Sequence, residues 1–318
     1  MLNNRFFSVL DIGSNSFHLI IAEKKENGFE IADREKAVLR LSTSDVNGTS
    51  YIKETDIRKG INLIFKAKEL AARYNAPIRI VATSAVREAV NKEDFLRRVA
   101  EETGDTIQVI SGIEEAQYIY EGITAYFNWK NEKVLSIDIG GGSTELSVGR
   151  TSDAGIEFVK SLKVGSVRLS QRFFPDYKIE TKSLIACTHY VLGYFEVFKE
   201  EIQKTNFTKV AVTAGTAKSI FTMAEALLGK PVKRGDFRIV RDADVRVVYD
   251  MVMSNRTFRR RLKIPGLEAK RADIIPAGMI IFRTIMESLG IEEMYYSEYA
   301  LREGLLFHEL QNLNGRKQ

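Results

Sequence analysis

Two carboxylates, three glycines and two hydroxyls stand within eight residues of one another in SIDIGGGSTELSVG, residues 136–149. Asp138 enters the glycine run and Glu145 leaves it, with Gly140, Gly141, Gly142, Ser143 and Thr144 between. A turn built of glycines can adopt φ > 0 and admits an anion to its backbone N–H groups without a Cβ in the way. Flanking acids suit a divalent cation such as Mg²⁺, which sits between carboxylates and phosphate oxygens. The pattern therefore fits a bound phosphate and its metal ion; the plain alternative is a glycine-rich hairpin without a ligand.

The elements that must position this turn are an apolar run before it and an alternating run after it, which predicts strand, tight turn, strand. The chain makes the same statement earlier. Asp11, Ile12, Gly13 and Ser16 match Asp138, Ile139, Gly140 and Ser143 with a shift of 127 residues. LRLS at 39–42 corresponds to VRLS at 167–170, and RIVATSA at 79–85 to KVAVTAG at 209–215. A shift that drifts only from 127 to 130 describes one duplicated α/β unit, and two copies facing each other would set two phosphate-gripping turns across a cleft.

Strands are expected at 6–10, 17–22, 29–41, 78–82, 106–110, 133–139, 144–148, 157–164, 210–213 and 293–297, with a turn at Asn27-Gly28 and a polar stretch over 42–49. Helices are expected at 53–74, 92–103, 111–127, 182–205 and 217–228; beyond Asp242 the chain reads as mostly helical, with a frayed tail at 312–318. Ile57, Ile61, Ile64, Ala67 and Leu70 share one face of the first helix.

Length and composition are those of a two-domain globular protein: 318 residues, 44% hydrophobic and 28% charged, without a membrane-length apolar run or a signal-peptide core. The expectation is a cytoplasmic enzyme without membrane partners. Cys187, the single cysteine, reads as a buried small residue. The net charge of +5 leans towards acidic partners. The run RTFRRRLK at 256–263, with Lys270 and Arg271, reads either as a solvated helix face or as a track for a long polyanion, and it lacks the aromatic interleaving of a nucleic-acid platform.

DIGSNSFHL at 11–19, TSAVRE at 83–88, SGIEEA at 111–116, DIGGGSTEL at 138–146, TAGTAKS at 213–219 and ALREGLL at 300–306 together resemble the exopolyphosphatase and guanosine pentaphosphate phosphohydrolase family of the actin-like superfamily. The resemblance covers nearly the whole chain. It implies an α/β fold of two ribonuclease-H-like halves around a central cleft, with domains at 1–125 and 126–298 and a last helix, 299–318, packing back on the first. It also implies that Glu115, just before the alanine of EEA, is the general base that activates water, with Glu114 about a hundred degrees away round the helix.

On the same resemblance Asp138 and Glu145 hold Mg²⁺ or orient the water, and Asp11 adds a metal-side carboxylate. Ser14, Asn15 and Ser16 cradle phosphate opposite Gly141, Gly142, Ser143 and Thr144. Arg87 is a bidentate phosphate clamp, against which stands a surface salt bridge to Glu88 or Glu93. Gly215 and Thr216 stand where actin-like folds bring a backbone turn near a nucleotide or the distal phosphates, by analogy only. His18 stands where the second copy has Glu145, so the duplication carries the acid on one side alone; His18 itself reads as a packed or hydrogen-bonding residue.

One departure is the run Ser42-Thr43-Ser44-Asp45, where many family members have a glycine-containing loop. The function implied is a Mg²⁺-dependent hydrolase that removes terminal phosphate from inorganic polyphosphate, with guanosine pentaphosphate as a second substrate. The alternatives are a small-molecule kinase on the same fold and a nucleotide- or polyphosphate-binding sensor. A homodimer is the expected assembly because an extended basic face would suit it.

Overall fold

A computed structural model of the chain describes residues 5–26, 28–44, 49–151 and 155–315. In chain order the first elements are β1 (Phe6–Ile12), β2 (Ser16–Lys25), β3 (Gly28–Val38), β4 (Ser42–Ser44), β5 (Ser50–Ile52), α1 (Glu54–Arg73), β6 (Ile78–Ala82), α2 (Ser84–Arg87), α3 (Lys92–Thr103), β7 (Ile107–Val109) and α4 (Gly112–Phe127). There follow β8 (Lys133–Ile139), β9 (Thr144–Arg150), β10 (Ile156–Leu162), α5 (Ser166–Phe173), α6 (Thr181–Glu196), α7 (Lys199–Lys204), β11 (Lys209–Thr213) and α8 (Ala214–Leu228). The last are β12 (Lys233–Arg234), β13 (Phe237–Arg241), α9 (Asp242–Ser254), α10 (Phe258–Arg261), α11 (Ile275–Leu289), β14 (Glu293–Tyr296) and α12 (Leu301–Gly315). The expected turn at Asn27 lies outside the described residues at that position, as do positions 45–48 of the polar stretch, Asp45 of the departing loop included, and 316–318 of the tail.

The chain divides into two compact units, Met1–Gly122 with Tyr299–Gln318, and Ile123–Glu298. In the first, the sheet order is β3-β2-β1-β6-β7, antiparallel across the first three strands and parallel from β1 to β7. The second runs β10-β9-β8-β11-β14-β13-β12 and opens with the same sequence of two antiparallel pairs and then parallel ones. This is the duplicated ribonuclease-H-like, actin-like α/β fold. The repeat extends to register: Asp11 pairs with His18 across β1 and β2, and Asp138 with Glu145 across β8 and β9.

Burial explains the elements. In the first unit α1 lays Ile57, Ile61, Ile64, Ala67 and Ala71 on the core, an apolar stripe at helical spacing. Helix α12 returns to the sheet of this unit and passes close to α4. A Cβ on Gly304 would collide with the carbonyl of Tyr118, and one on Gly122 with that of Ala300. In the second unit α11 is buried on nearly every side, which suits its almost wholly apolar sequence; Pro276 opens it and Gly290, at φ 65°, closes it. Cys187 is buried in this core, which pushes its thiol up to about 12 and leaves it inert at neutral pH.

Three expectations need correction, and one element had no expectation. The helix over 182–205 is two helices, broken at Val197 and Phe198. The segment before α9, for which the sequence predicts no element, contains the hairpin β12–β13. LRLS and VRLS diverge in conformation: 167–170 lies in α5, whereas 39–41 is irregular and leads into β4. The basic run is not one continuous face, because Arg261 is fully buried and donates to the carbonyls of Ala272 (2.6 Å), Asn255 (3.2 Å) and Tyr177 (2.7 Å). Burial draws its guanidinium down to about 10, opposed by nearby Asp273. Arg261→Met leaves three inward carbonyls without that donor, at about 1–3 kcal/mol for each that finds no substitute. The expected result is a lower denaturant midpoint with an unchanged slope; an unchanged midpoint would contradict this role.

Candidate active site

Each unit presents a turn at the end of its first strand, and the two turns close with the same hydrogen bond. Gly13 N–H donates to Ser16 O at 3.1 Å, and Gly140 N–H to Ser143 O at 3.0 Å. Neither Gly13 nor Gly140 lies in the left-handed region, so the expected φ > 0 is not the reason for glycine here. The reason is crowding: a Cβ on Gly140 would stand 3.0 Å from Ser143 O, and one on Gly13 3.3 Å from Ser16 O.

The second turn is held from behind by the N-terminus of α5. Ser166 N–H donates to Gly140 O at 3.0 Å, and Val167 and Arg168 N–H to Gly141 O at 2.9 and 3.0 Å. Arg168 Nε donates to Gly142 O at 2.7 Å. These bonds satisfy first-turn N–H groups that no helix can satisfy within itself. They also fix the turn's polarity. In a trans peptide the C=O of one residue and the N–H of the next point opposite ways, so carbonyls of Gly140, Gly141 and Gly142 turned towards α5 direct the N–H groups of Gly141, Gly142 and Ser143 away from it. None of these three N–H groups is donated to another backbone group among the described residues. Three N–H groups aimed one way form a concavity for an anion.

Asp138 and Glu145 stand directly opposite each other beside that turn, both buried. Ser161 Oγ, from the facing residue of β10, donates to Glu145 Oε1 at 2.7 Å. Thr144, expected as a phosphate ligand, is fully buried and spends its hydroxyl on Val164 O at 2.5 Å; any role in holding phosphate passes to its backbone.

In the first turn Ser16 Oγ and His18 Nε2 share a hydrogen bond of 2.7 Å, so His18 is a hydrogen-bonding residue. Asn15 Oδ1 accepts from Arg40 Nε at 3.2 Å. Arg40 and Arg168 are repeat partners, as are Asn15 and Gly142, so each unit ties the same turn position with the same arginine. Neither arginine was singled out from sequence, although the matched LRLS and VRLS carried the signal.

Asp11 lies with 16% of its side chain exposed, while its Oδ1 is buried and has no hydrogen-bond partner. Burial pushes its carboxyl up to about 6; Arg302, 4.0 Å away, works against this and Glu303 reinforces it. Glu303 itself is fully buried and caps α12 by accepting from Ala300 N–H at 3.0 Å.

Helix α4 sorts its two first-turn acids. Ser111 N–H donates to Glu114 at 2.8 Å while Glu114 N–H donates to Ser111 Oγ at 3.1 Å, a reciprocal cap that holds the Glu114 carboxyl below its ordinary range. Glu115 is instead buried and accepts from Arg87 Nη1 at 2.9 Å. The same nitrogen donates to Ile110 O at 3.0 Å. Arg87 therefore pairs with Glu115, not with Glu88 or Glu93; Glu88 accepts from Ser84 Oγ.

Gly215 and Thr216 are the first turn of α8 and not a free loop. The guanidinium of Arg271 lies against Gly215 so closely that any Cβ there would overlap it, and Ala214 before it is held at φ 69°. Thr216 is buried against Gly278. Of the basic residues beyond the run, Arg271 is thus inward and Lys270 pairs with Glu268 at 3.0 Å.

Among the described residues no three His, Cys, Asp or Glu side chains converge as a ready metal cage. What is present fits a cation that takes one or two carboxylates and completes its shell with water and phosphate, as Mg²⁺ does. Donors of that kind are, in the first unit, the unpartnered Asp11 Oδ1 and, in the second unit, the facing pair Asp138 and Glu145. A carboxyl raised by burial binds more protons folded than unfolded, so its contribution to stability is present below about pH 4 and is lost as pH rises through about 6. Asp11→Asn is accordingly expected to melt higher than the wild type at pH 7–8 without divalent ions, by up to about 3 kcal/mol, with the difference gone below pH 4. A lower melting temperature for the variant at pH 8 would contradict it.

Comparison with known proteins gives a consistent picture. The Ppx/GppA phosphatase family profile matches residues 20–313. The chain is 30% identical over 307 residues to exopolyphosphatase 1 of Mycobacterium leprae, covering 95% of this chain and 88% of that protein. It is 29% identical over 308 residues to the guanosine-5'-triphosphate,3'-diphosphate pyrophosphatase of Photobacterium profundum, covering 96% of this chain but 60% of the longer relative. The crystal structure of the Aquifex aeolicus Ppx/GppA family member superposes with a TM-score of 0.78 at 25% identity, covering 97% and 98% of the two chains.

Proposed function

Because this chain belongs to the Ppx/GppA phosphatase family, we propose that it is a phosphoanhydride hydrolase that releases terminal orthophosphate from inorganic polyphosphate, with guanosine pentaphosphate as a second substrate. The observation that carries this reading is the glycine turn. Its carbonyls are committed to α5 and its N–H groups to the opposite side, beside Asp138 and Glu145. Such a turn binds the oxygens of a transferring phosphoryl group, whose charge must be met by fixed donors.

Glu115 takes the proton from the attacking water, and Arg87 holds its carboxylate in place. Ser14, Asn15 and Ser16 grip phosphate from the first turn, with Arg40 steadying Asn15. Mg²⁺, when bound, neutralises phosphate charge; Asp138, Glu145 and Asp11 are its proposed ligands. Ser161 keeps Glu145 oriented by donating to one of its oxygens. No described helix is long and apolar enough to cross a membrane. A cytoplasmic homodimer completes the proposal, to be checked by fractionation and sedimentation.

The test is orthophosphate release with Mg²⁺ from long-chain polyphosphate, guanosine pentaphosphate and ATP. Release from polyphosphate above that from ATP is expected. Binding of polyphosphate without any release would leave a sensor in place of an enzyme.

A further inference from the structure

Four charged side chains of the first unit gather where α12 begins: Asp11 from β1, Arg34 from β3, and Arg302 and Glu303 from the first turn of α12. The signs are complementary, yet neither pair closes to hydrogen-bonding distance. Arg302 Nη1 stands 4.0 Å from Asp11 Oδ2, and Arg34 Nη2 stands 4.0 Å from Glu303 Oε1. A charge-assisted bond runs at about 2.7–2.9 Å, the length found between Arg87 and Glu115. Arg302 Nε and Glu303 Oε1 are buried without a hydrogen-bond partner, as Asp11 Oδ1 is. Buried polar atoms are as a rule paired, so three unpaired ones on neighbouring charged groups call for a reason.

The frame around them is fixed. Glu303 Oε2 accepts from Ala300 N–H at 3.0 Å, and α12 lies so close to α4 that a Cβ on Gly304 would collide with the carbonyl of Tyr118. The backbone that carries Arg302 is therefore held in place, while its guanidinium makes no hydrogen bond among the described residues. The Asp11 carboxylate makes none either. Glu145 in the second unit is different, because Ser161 Oγ anchors one of its oxygens at 2.7 Å. Asp11 is held by charge alone, opposite an arginine that has room to shift.

We propose that Arg302 is a positioning residue that competes with the divalent cation for Asp11. Its guanidinium balances the carboxylate without a bond that must be broken, and it draws back as the cation is taken up. A guanidinium this near also repels a cation on the same carboxylate, so Arg302 sets how tightly that cation is held. The unmade bonds are the slack that lets the exchange occur. The proposal takes Asp11 as a cation ligand from the proposed function, but its test is a binding measurement and does not depend on turnover.

The experiment is titration of the full chain with Mn²⁺ at pH 8, where Asp11 is ionised, with the bound ion followed by electron paramagnetic resonance. Arg302→Met is expected to bind Mn²⁺ about 10-fold more tightly than the wild type. Arg302→Lys, which keeps the charge, stays near the wild type. Asp11→Asn weakens binding, and adding Arg302→Met to it brings no gain, because the effect runs through the Asp11 carboxylate. Phosphate release should reach half its maximal rate at a lower Mg²⁺ concentration in Arg302→Met than in the wild type. Arg302→Gln serves as a second neutral variant should Arg302→Met fold poorly, with the same tightening expected. An arginine with a merely structural role would give a lower melting temperature with weaker or unchanged Mn²⁺ binding. That result would overturn the proposal, as would equal tightening with and without the Asp11 carboxylate, or Mn²⁺ binding indifferent to Asp11→Asn. Loss of phosphate release alone would bear only on the hydrolase reading.

Discussion

Glu115→Gln is expected to slow orthophosphate release from polyphosphate by about 10²–10⁴-fold, the range in which a positioned general base contributes. The substitution keeps shape and removes proton affinity. Arg87 Nη1 retains an oxygen to donate to and its bond to Ile110 O, so the junction between α2 and α4 should survive. Glu114→Gln is the matching control on the same turn of helix. It weakens the cap on Ser111 and is expected to cost stability, about 1 kcal/mol or less, with little change in turnover. Rates that fall equally in both variants would mean that Glu115 acts through α4 and not through a proton. The measurement is single-turnover release under saturating substrate, alongside a thermal melt.

Gly165→Ala is expected to be nearly as damaging although it touches no acid. Gly165 precedes α5, and a Cβ there would run into Gly141 O and the carbonyl carbon of Gly142. Neither atom belongs to a side chain that can swing aside, so α5 and the turn must part. That strains or breaks the bonds from Ser166, Val167 and Arg168 that set the direction of the turn's N–H groups. Overpacking of this kind costs about 1–3 kcal/mol. A displacement near 1 Å of groups that hold a reacting phosphate costs about 10²-fold in rate. Gly155→Ala, where a Cβ meets nothing, should leave both melting temperature and rate unchanged. Wild-type kcat and KM in Gly165→Ala would sever the turn from the chemistry.

The parts of this protein that could be read from sequence are those whose signal is local. The repeat was legible because strand, small-residue turn and strand leave a compact pattern, and β6, α3 and β8 fell where their runs of residues placed them. The acids around the turn were legible for the same reason. What escaped depends on residues distant in the chain. The pairing of Arg87 with Glu115 spans 28 positions and exists because the end of α2 meets the first turn of α4. Three successive arginines at 259–261 look alike in sequence, and only the path of Tyr177, Asn255 and Ala272 decides that Arg261 is the inward one. LRLS and VRLS begin with the same chemistry and take different conformations because Gly165 allows α5 to close on the turn. The hairpin β12–β13 was missed because Lys233, Arg234 and Gly235 carry no apolar alternation.

The central claim is that water attacks a phosphoanhydride at this site, and its most direct test is the fate of labelled oxygen. Turnover of polyphosphate with Mg²⁺ in ¹⁸O-water should place one ¹⁸O in each orthophosphate released, and Glu115→Gln should lower the amount of labelled product without altering the label per molecule. Unlabelled orthophosphate, or phosphoryl transfer to an added hydroxyl acceptor in preference to water, would contradict the account and favour a transferase on the same fold.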